Sequence, residues 1–264
     1  MLKTKPITIG SQFSGIQSYK YAFERLNVPF KSIFACDFDK FCKKTCLANG
    51  FDGIWYDDVK NVNWAKATYS DLFITSPPCQ PFSVAGKRKG AADERGRLFR
   101  YSWQYIKAKQ PRYFVLENVG SMLDKNNIGI FQHWLSMLGK SVNGVANMIV
   151  HEKSCGYHLY YKILNAADYG VPQSRKRVFI VGFRDQKDAI GFRFPKEQPL
   201  YRCVNDLLLP PEKVPERYTI SEKVLKHLLC NTSYKSKINP KIAACLTKSL
   251  GKNGRGLTII RTQK

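Results

Sequence analysis

One cysteine of this sequence stands where a protein would present a nucleophile. Cys79 follows two prolines in the segment TSPPCQPFS (residues 75–83), directly after the run Asp71–Ile74, which predicts a buried strand. Because proline restricts its own backbone and that of the residue before it, the thiol is held at a stiff, exposed position. A thiolate presented in this way can form a covalent bond to an electrophilic carbon of a substrate.

A carboxylic acid follows a second strand further along the chain. The apolar run Tyr113–Leu116 predicts a buried strand that leads directly into Glu117, Asn118 and Val119. Open α/β sheets bind their ligands at the carboxyl ends of their strands, so Cys79 and Glu117 can converge on one substrate. The two side chains would then supply a nucleophile and a general acid.

The ends of three earlier strands carry residues suited to a nucleotide-like cofactor. The turn GSQFSGIQS (residues 10–18) joins the first strand to a helix whose N–H groups would face an anionic group. Asp37 follows the second strand, where a carboxylate can accept hydrogen bonds from ribose hydroxyls, and Phe38 beside it can stack on adenine. Asp58 follows the third strand. Taken singly, each aspartate is as typical of a helix cap or a turn.

The first two-thirds of the chain alternate strand-like and helix-like segments. Strands are predicted at residues 7–13 and 32–36, in the segment directly before Asp58, and at residues 71–74, 113–116, 157–164 and 177–182, and helices at residues 15–27, 39–49, 98–109 and 130–138. Such alternation predicts an α/β fold with a doubly wound, mostly parallel sheet and helices on both faces. The pattern changes near residue 195, so we expect a catalytic and cofactor-binding domain in residues 1–198 and a smaller domain in residues 199–264.

The charge balance favours a polyanionic partner. The chain has 43 Lys+Arg against 20 Asp+Glu, a net charge of +23, and each phosphate that such a protein neutralises releases counterions. A lysine-rich genome would produce the same excess. The hydrophobic content of 44% is that of a globular protein. No apolar run reaches the roughly 20 residues of a membrane helix and the amino terminus has no secretory signal, so we expect an intracellular protein.

The segment between the two chemical motifs is rich in glycine and in cations. Residues 84–96 (VAGKRKGAADERG) contain Lys87, Arg88 and Lys89 between glycines that can act as hinges. This composition predicts a mobile loop that closes over nucleic acid and contacts phosphates. A solvated surface loop is the alternative.

Two arginines alternate at the start of a late strand. Residues 169–180 contain the run Gln173-Ser174-Arg175-Lys176-Arg177. Because side chains alternate along a strand, Arg175 and Arg177 should point to the same face and both reach the site. A structural role, in which they brace the Glu117 loop, overlaps with this one.

The remaining cysteines show no signs of reactivity. The eight cysteines contain no Cys-x-x-Cys pair, so a zinc site is not expected. Cys36, Cys42 and Cys46 stand in apolar surroundings and are expected to pack as small apolar side chains.

Five of these segments, in order across residues 7–182, resemble the motifs of the cytosine-C5 DNA methyltransferase family, and the Cys79 and Glu117 motifs are the most specific. The resemblance implies the S-adenosylmethionine-dependent methyltransferase fold, that cofactor with S-adenosyl-L-homocysteine as product, and a cytosine flipped out of double-stranded DNA. In such an enzyme the Cys79 thiolate adds to C6 and Glu117 acts at N3. Arg175 and Arg177 hold O2 or a phosphate.

The resemblance also assigns binding residues. Cofactor contacts are implied for Phe13, Ser14, Gly15, Ile16, Asp37, Phe38, Asp58, Val59, Pro78 and Leu98, with Asp58 at the position that holds the adenine amine. Substrate contacts are implied for Gln80, Ser83, Lys87, Arg88, Lys89, Asn118, Val119 and Gln173. One departure lies in the first turn, where Gln17 stands in place of the family's usual glycine.

The carboxyl-terminal region departs further from the family pattern. Residues 242–247 resemble part of the family's DNA-reading domain, but the chain ends at Lys264 without the family's Arg-Glu-rich segment and final Gly-Asn-Ser-Val motif. We expect a partial target-recognition domain, with a second polypeptide that supplies the missing motifs or a truncated reading frame.

Several alternatives stay open at this point. A tRNA cytosine-C5 methyltransferase carries the same motifs, and loss of the carboxyl-terminal part would also suit a catalytically inactive DNA-binding remnant. A cytoplasmic enzyme of a bacterial restriction-modification system, an orphan enzyme and an enzyme of a phage-infected cell would share these sequence features.

Overall fold

The computed structural model describes residues 5–78, 98–146, 149–218, 221–230, 237–238, 240–245 and 258–259. The chain divides into two units. The first comprises Met1–Ile163 and Arg177–Phe194, and the second comprises Leu164–Lys176 and Pro195–Lys264. The expected domains were residues 1–198 and 199–264. They did not place the segment Leu164–Lys176 in the second unit, where the structure has it.

The first unit is organised by one large sheet. Its strands within the described residues are β1 (Ile7–Gln12), β2 (Phe30–Cys36), β3 (Ile54–Tyr56), β4 (Leu72–Thr75), β5 (Tyr113–Val119), β6 (Gly139–Val142), β7 (Val145–Ala146), β8 (Tyr157–Asn165) and β9 (Lys176–Phe183). They lie in the order β3-β2-β1-β4-β5-β9-β8-β6-β7. The strands from β3 to β5 pair in parallel, and β9 pairs antiparallel with β5. The predicted α/β class with a mostly parallel sheet is therefore confirmed.

Helices connect the parallel strands and cover the sheet. The first unit contains α1 (Ser18–Arg25), α2 (Lys40–Ala48), α3 (Phe99–Lys109), α4 (Ile128–Leu138) and α5 (Gln186–Ala189). Asp39 is the N-cap of α2, where its side chain accepts a hydrogen bond from the backbone N of Phe41 at 2.8 Å. No helix in the described part of the chain is long and apolar enough to cross a membrane.

An aromatic cluster fixes the strands that lead into the predicted site. Phe34 of β2, Phe73 of β4 and Tyr105 of α3 are fully buried, with ring centroids 4.4 Å apart for Phe73 and Tyr105 and 5.2 Å apart for Phe34 and Tyr105. Such ring pairs contribute about 0.5–1.5 kcal/mol each beyond their buried area. Gly10 of β1 faces Phe34 so closely that a Cβ at this position would overlap the ring. The cluster therefore ties α3 to three neighbouring strands.

A hairpin that was not predicted lies at the edge of the sheet. β6 and β7 pair antiparallel, and Asn143 and Gly144 connect them. Both residues have positive φ, 51° and 83°. An Asn-Gly pair is the favoured sequence for a two-residue hairpin turn in which both residues have positive φ. The dipeptide was therefore the signal that would have predicted the hairpin.

The second unit is described over part of its length. It contains α6 (Glu222–Cys230) and a two-residue parallel pair of β10 (Lys237–Ile238) and β11 (Thr258–Ile259). Two backbone hydrogen bonds of 2.8 Å join Ala243 to Pro172 and to Ser174. These bonds join the segment Leu164–Lys176 to the rest of the second unit.

Candidate active site

A cavity of about 270 Å³ lies at the carboxyl ends of β1, β2, β3 and β4. Most of the predicted cofactor residues line it: Phe13, Asp37, Phe38, Asp58, Val59, Pro78 and Leu98. Cys36 and Lys60 line it as well and were not predicted. The volume is near the lower end of the range for small-molecule pockets, about 300 Å³. The strand ends therefore form one ligand-sized concavity.

The turn between β1 and α1 has an unusual backbone. Phe13, Gly15 and Gln17 have φ angles of 52°, 52° and 56°, in the left-handed region. This region costs residues other than glycine roughly 1–2 kcal/mol each. Ser14 stabilises the turn, because its N donates to the Cys36 carbonyl and its Oγ accepts from the Cys36 N, each at 3.0 Å. The left-handed conformation at Gln17 is the physical reason why glycine suits this position.

Asp37 and Asp58 bind backbone groups around the cavity. The two carboxylate oxygens of Asp37 accept hydrogen bonds from the backbone N of Gly15 (2.8 Å) and of Asp39 (3.0 Å). Asp58 accepts from the backbone N of Lys60 at 2.9 Å and begins a short 3₁₀ turn. Both aspartates therefore have the turn-forming role that was the alternative to ligand binding. A carboxylate has about four acceptor sites, so capacity for a ligand is left on each.

The other residues predicted to contact a cofactor belong to the same turn. Ser14, Gly15 and Ile16 are not among the residues that line the cavity. Ile16 is 53% exposed. A Cβ added at Gly15 would have no heavy atom within 4 Å, so the turn leaves open space at this glycine.

The segment that leads to Cys79 is fixed by the neighbouring strand. In the β4–β5 register, Thr75 lies opposite Leu116. Asn118, only 2% exposed, donates from Nδ2 to the carbonyl of Pro77 at 3.1 Å. The peptide two residues before the cysteine is thus held by the end of β5. Outside the described residues lie Cys79, Gln80, Ser83, Lys87, Arg88 and Lys89.

A network of hydrogen bonds between buried side chains lies beneath this segment. Ser102 of α3 donates to Gln12 Oε1 at 3.0 Å, and its Oγ lies 2.7 Å from Thr75 Oγ1. Because the Ser102 hydroxyl has one proton, Thr75 must donate to Ser102. Gln12 Nε2 completes the network by donating to the Tyr101 carbonyl at 3.3 Å. This hydrogen-bond network links β1, α3 and the end of β4.

Replacing Ser102 by alanine is expected to lower the free energy of unfolding by about 2 kcal/mol, because buried polar atoms of Gln12 and Thr75 lose their partner. The measurement is urea unfolding followed by circular dichroism. Ser136→Ala is the matched control, since Ser136 is a buried helical serine whose hydroxyl donates only to the His133 carbonyl of its own helix among the contacts described. Equal losses of unfolding free energy in the two variants would show that the hydrogen-bond network around Ser102 adds no stability of its own.

Glu117 is held by an ion pair at the end of β5. Its Oε1 lies 3.0 Å from Nε of Arg177, and the two side chains are 25% and 19% exposed. In the β5–β9 register Glu117 faces Phe179 and Val119 faces Arg177, so the acid and the guanidinium are diagonal neighbours on one face. The strand continues to Val119, beyond the predicted end at Leu116. The ion pair fixes the direction of the carboxyl group.

Arg175 and Gln173 lie in the second unit. Arg175 donates from its backbone N to Asn165 Oδ1 at 2.9 Å and from Nη1 to Cys245 Sγ at 3.5 Å. Gln173 forms a backbone bridge with Ala243. Because β9 begins at Lys176, Arg177 lies on the strand and Arg175 precedes it.

The described buried cysteines are not suited to nucleophilic chemistry. Cys36 and Cys46 are 0% and 3% exposed, which confirms for these two the prediction that they pack as apolar side chains; Cys42 is half-buried. Burial raises the pKa of Cys46 to about 11 and that of Cys155 to about 12. Since the thiolate is the reactive form, these thiols are inert at neutral pH.

Solved structures share this fold. The chain is similar to the Entamoeba histolytica methyltransferase EhMeth, with a TM-score of 0.72 and 18% identity over 98% of this chain and 77% of that one. It is also similar to the S. pombe Dnmt2 methyltransferase, with a TM-score of 0.70 and 17% identity over 98% of this chain and 76% of that one. The fold is that of S-adenosylmethionine-dependent methyltransferases.

The sequence shows which family of proteins with this fold the chain belongs to. Residues 7–262 match the family described as C-5 cytosine-specific DNA methylase, and the chain belongs to it, as its motifs predicted. Similar curated proteins include the type II methyltransferases M.Bsp6I of Bacillus sp. (strain RFL6), 32% identical over 82% of this chain, and M.HaeII of Haemophilus aegyptius, 33% identical over 82%. The matches span 64% and 62% of those two proteins, so the chain covers less than two thirds of their length.

Proposed function

We propose that this chain transfers a methyl group from S-adenosyl-L-methionine to C5 of a flipped-out cytosine in double-stranded DNA. The observation that carries the proposal is the hydrogen bond from Asn118 to Pro77, which joins the segment before Cys79 to the strand that presents Glu117. The cavity lies beside this segment, with Pro78 in its wall. This arrangement supports a site in which a nucleophile, an acid and a methyl donor meet.

The proposed chemistry begins with the thiol. C5 of cytosine is too weak a nucleophile to attack a methyl sulfonium unaided, and addition of the Cys79 thiolate to C6 turns the ring into an enamine with a nucleophilic C5. A proton from Glu117, whose carboxyl is oriented by Arg177, neutralises the charge at N3. S-adenosylmethionine, when bound, supplies the electrophilic methyl group. Water then removes the C5 proton, N3 returns its proton to Glu117, and the thiolate leaves as the C5–C6 double bond returns.

The cavity residues fit the proposed cofactor. Asp37 has acceptor capacity for ribose hydroxyls, and Asp58 and Val59, which line the same cavity, are assigned to the adenine amine. Phe38 is 80% exposed and lines the cavity, so its ring is available to stack on adenine. The turn of residues 13–16 completes the proposed cofactor contacts, with open space at Gly15.

Replacing Phe38 by alanine is expected to raise the Kd for S-adenosylmethionine about tenfold, because the aromatic contact with adenine is lost. The free energy of unfolding should change by less than about 0.5 kcal/mol, since the ring is mostly exposed. Isothermal titration calorimetry and urea unfolding measure the two quantities.

Phe41→Ala is the control for this experiment. Phe41 is 68% exposed, lies three residues away on α2, and is not among the residues that line the cavity. Its replacement should leave the Kd unchanged. The assignment of Phe38 fails if both variants bind the cofactor equally well.

The remaining contact residues are proposed from the family motifs. Arg175 and Arg177 are assigned to cytosine O2 or a phosphate. DNA contacts are assigned to Gln80, Ser83, Lys87, Arg88, Lys89, Asn118, Val119 and Gln173. Residues 1–198 would form the catalytic domain, and residues 199–264 would contribute to target recognition.

Double-stranded DNA is the proposed substrate, and tRNA is the alternative. The net charge of +23 suits either polyanion, whereas the curated relatives are type II methyltransferases. Incubation with tritiated S-adenosylmethionine and equal nucleotide amounts of duplex DNA or tRNA discriminates the two. Label in DNA at least tenfold above label in tRNA is the expected result, and the reverse would reject the proposal.

The cellular setting is proposed on the same basis. A bacterial or phage-infected cytoplasm is the expected compartment, and a restriction-modification system is the expected context, as for the type II relatives. No comparison supports the second polypeptide, so it stays a prediction. Bisulfite sequencing of DNA from cells that express the chain with and without its neighbouring gene tests it, because methylation by the chain alone at the level of the pair would refute it.

A further inference from the structure

The turn between β1 and α1 has a conformation that its own residues do not favour. Phe13 and Gln17 have left-handed φ angles of 52° and 56°, a region that residues with a side chain rarely occupy. The Gln17 side chain is also buried, and its Nε2 has no hydrogen-bond partner among the described residues. Such conformations persist where the surrounding structure over-determines them. Contacts from outside the turn must therefore hold it.

Ser11 is placed to hold this turn. It is the last residue but one of β1, is 1% exposed, and pairs with Ala35 of β2 on one side and with Ile74 of β4 on the other. Because β1 is hydrogen-bonded to a strand on each side, the backbone of Ser11 is fixed. Its Oγ lies 2.7 Å from Ser14 Oγ. This contact ties the turn directly to the central part of the sheet.

Four hydroxyl groups form a row that we call the hydroxyl row: Ser32, Tyr19, Ser11 and Ser14. Tyr19 OH lies 3.5 Å from Ser32 Oγ and 3.3 Å from Ser11 Oγ. At the other end, Ser14 Oγ accepts from the Cys36 N at 3.0 Å and lies 3.2 Å from the Cys36 carbonyl. If donation runs from Ser32 towards the Cys36 carbonyl, every hydroxyl in the row uses its one proton. Removal of the Ser11 hydroxyl then leaves both of its neighbours without a partner.

The turn forms part of the wall of the cofactor cavity. Phe13 lines the cavity, and the backbone N of Gly15 donates to Asp37 Oδ2 at 2.8 Å. Asp37, which is proposed to accept from the ribose hydroxyls, lines the same cavity. Neither Ser11 nor Tyr19 is among the described residues that line it. A change at Ser11 can therefore reach the cofactor only through the position of the turn.

We propose that Ser11 is a positioning residue for the binding of S-adenosylmethionine. Its hydroxyl acts through Ser14 and holds residues 13–17 in the conformation that the cofactor contacts. The inference rests on the proposed function, since it takes this cofactor as the ligand. A site that is ordered in advance binds more tightly, because the ligand does not have to order it. Without the Ser11 hydroxyl, part of the binding free energy would be lost in ordering the turn.

Ser11→Ala is expected to raise the Kd for S-adenosylmethionine about fivefold, because a buried hydrogen bond that holds the turn is lost. Isothermal titration calorimetry of the full chain measures the Kd. S-adenosyl-L-homocysteine is the second probe. It has the same adenosine part as S-adenosylmethionine, so its Kd should rise by the same factor.

Amide hydrogen exchange, followed by mass spectrometry, reports on the turn itself without any ligand. In the wild type the Ser14 N–H donates to the Cys36 carbonyl at 3.0 Å, and the Gly15 N–H donates to Asp37. In Ser11→Ala, peptides that contain residues 13–17 should exchange at least about threefold faster, since the turn opens more often. Saturation with S-adenosylmethionine should remove most of this difference, because the bound cofactor orders the turn.

Ser70→Ala is the matched control. Ser70 is 0% exposed and its Oγ lies 2.9 Å from Tyr105 OH, so it is also a buried serine paired with a tyrosine. It precedes β4 at the amino edge of the sheet and is not among the described residues that line the cavity. Its replacement should lower the free energy of unfolding about as much as Ser11→Ala does. It should leave the Kd and the exchange of residues 13–17 unchanged.

Tyr19→Phe tests the hydroxyl row independently. The variant keeps the ring and removes the hydroxyl next to Ser11, so the Kd for S-adenosylmethionine should rise about twofold. The combination of Tyr19→Phe with Ser11→Ala should bind no more weakly than Ser11→Ala alone, because both changes act through the same contact with the turn. Additive losses of affinity would contradict the row.

The proposal is overturned if Ser11→Ala binds S-adenosylmethionine like the wild type, or if Ser70→Ala loses as much affinity. A wild-type chain that does not bind S-adenosylmethionine would contradict the proposed function instead. Hydrogen exchange then decides the role of Ser11 by itself. Faster exchange of residues 13–17 in Ser11→Ala would show that Ser11 holds the turn, and unchanged exchange would refute it.

Discussion

Cys79→Ala is expected to abolish covalent trapping of the chain on duplex DNA in which 5-fluorocytosine replaces cytosine. In the proposed reaction the thiolate adds to C6, C5 takes the methyl group, and loss of the C5 proton releases the enzyme. Fluorine at C5 cannot leave as a proton, so the adduct persists. Alanine has no nucleophile, and the adduct should fall below detection. A random-sequence duplex with every cytosine replaced makes the assay independent of the recognition sequence.

The measurement is a mobility shift that survives denaturing detergent, with tritiated S-adenosylmethionine present. Cys230→Ala is the matched control, because Cys230 is an exposed free cysteine outside the proposed site, and this variant should trap like the wild type. Duplex affinity of Cys79→Ala, measured by fluorescence anisotropy, should stay within about twofold, since a cysteine side chain carries no positive charge with which to bind phosphates. Adduct formation by Cys79→Ala would remove the nucleophile from the proposal.

The ordering of the strand ends could be predicted from the sequence. Short apolar runs such as β4 and the start of β5, whose residues are buried or half-buried, are typical of parallel strands, and parallel strands align their carboxyl ends. Asp37, Asp58 and Pro78 therefore line one cavity, although they are far apart in sequence. Local patterns sufficed because the sheet itself brings these positions together.

Contacts that depend on tertiary packing could not be predicted. No local pattern predicted the partner of the Asn118 side chain, which is 2% exposed and donates to the Pro77 carbonyl. The bonds that join Ser102 to Gln12 and Thr75 cross more than 25 residues of sequence, and no local pattern specifies such partners. The left-handed φ of Phe13 was equally hidden, because nothing in its residue type favours that conformation.

The ion pair between Glu117 and Arg177 could be predicted from the sequence only in part. The alternation of Arg175 and Arg177 suggested two arginines on one strand face, but the strand begins at Lys176 and the described contacts of Arg175 lie with Asn165 and Cys245. The antiparallel register of β9 against β5 sets Arg177 beside Glu117, and a register cannot be deduced from one strand alone. Because the ion pair with Arg177 fixes its carboxyl group, Glu117 is well suited to a test by substitution.

Glu117→Gln is expected to lower the rate of methyl transfer by about 10² to 10⁴, the usual contribution of a general acid. The amide has the size of the carboxyl group and its oxygen can still accept from Nε of Arg177, so the side chain should keep its place. It cannot, however, give a proton to N3 as the thiolate adds. Single-turnover transfer of tritiated methyl to duplex DNA, at saturating cofactor, measures the rate of the chemical step.

Two comparisons separate the loss of the acid from a general loss of charge or of folding. Glu152→Gln removes the same charge at an exposed position outside the site and should react at the wild-type rate. Arg177→Lys keeps the positive charge but loses the guanidinium that orients Glu117. A smaller decrease, about 10-fold to 100-fold, is expected for it because only positioning is impaired. If Glu117→Gln stayed within about threefold of the wild type while the duplex was bound normally, the proton at N3 would have to come from another group.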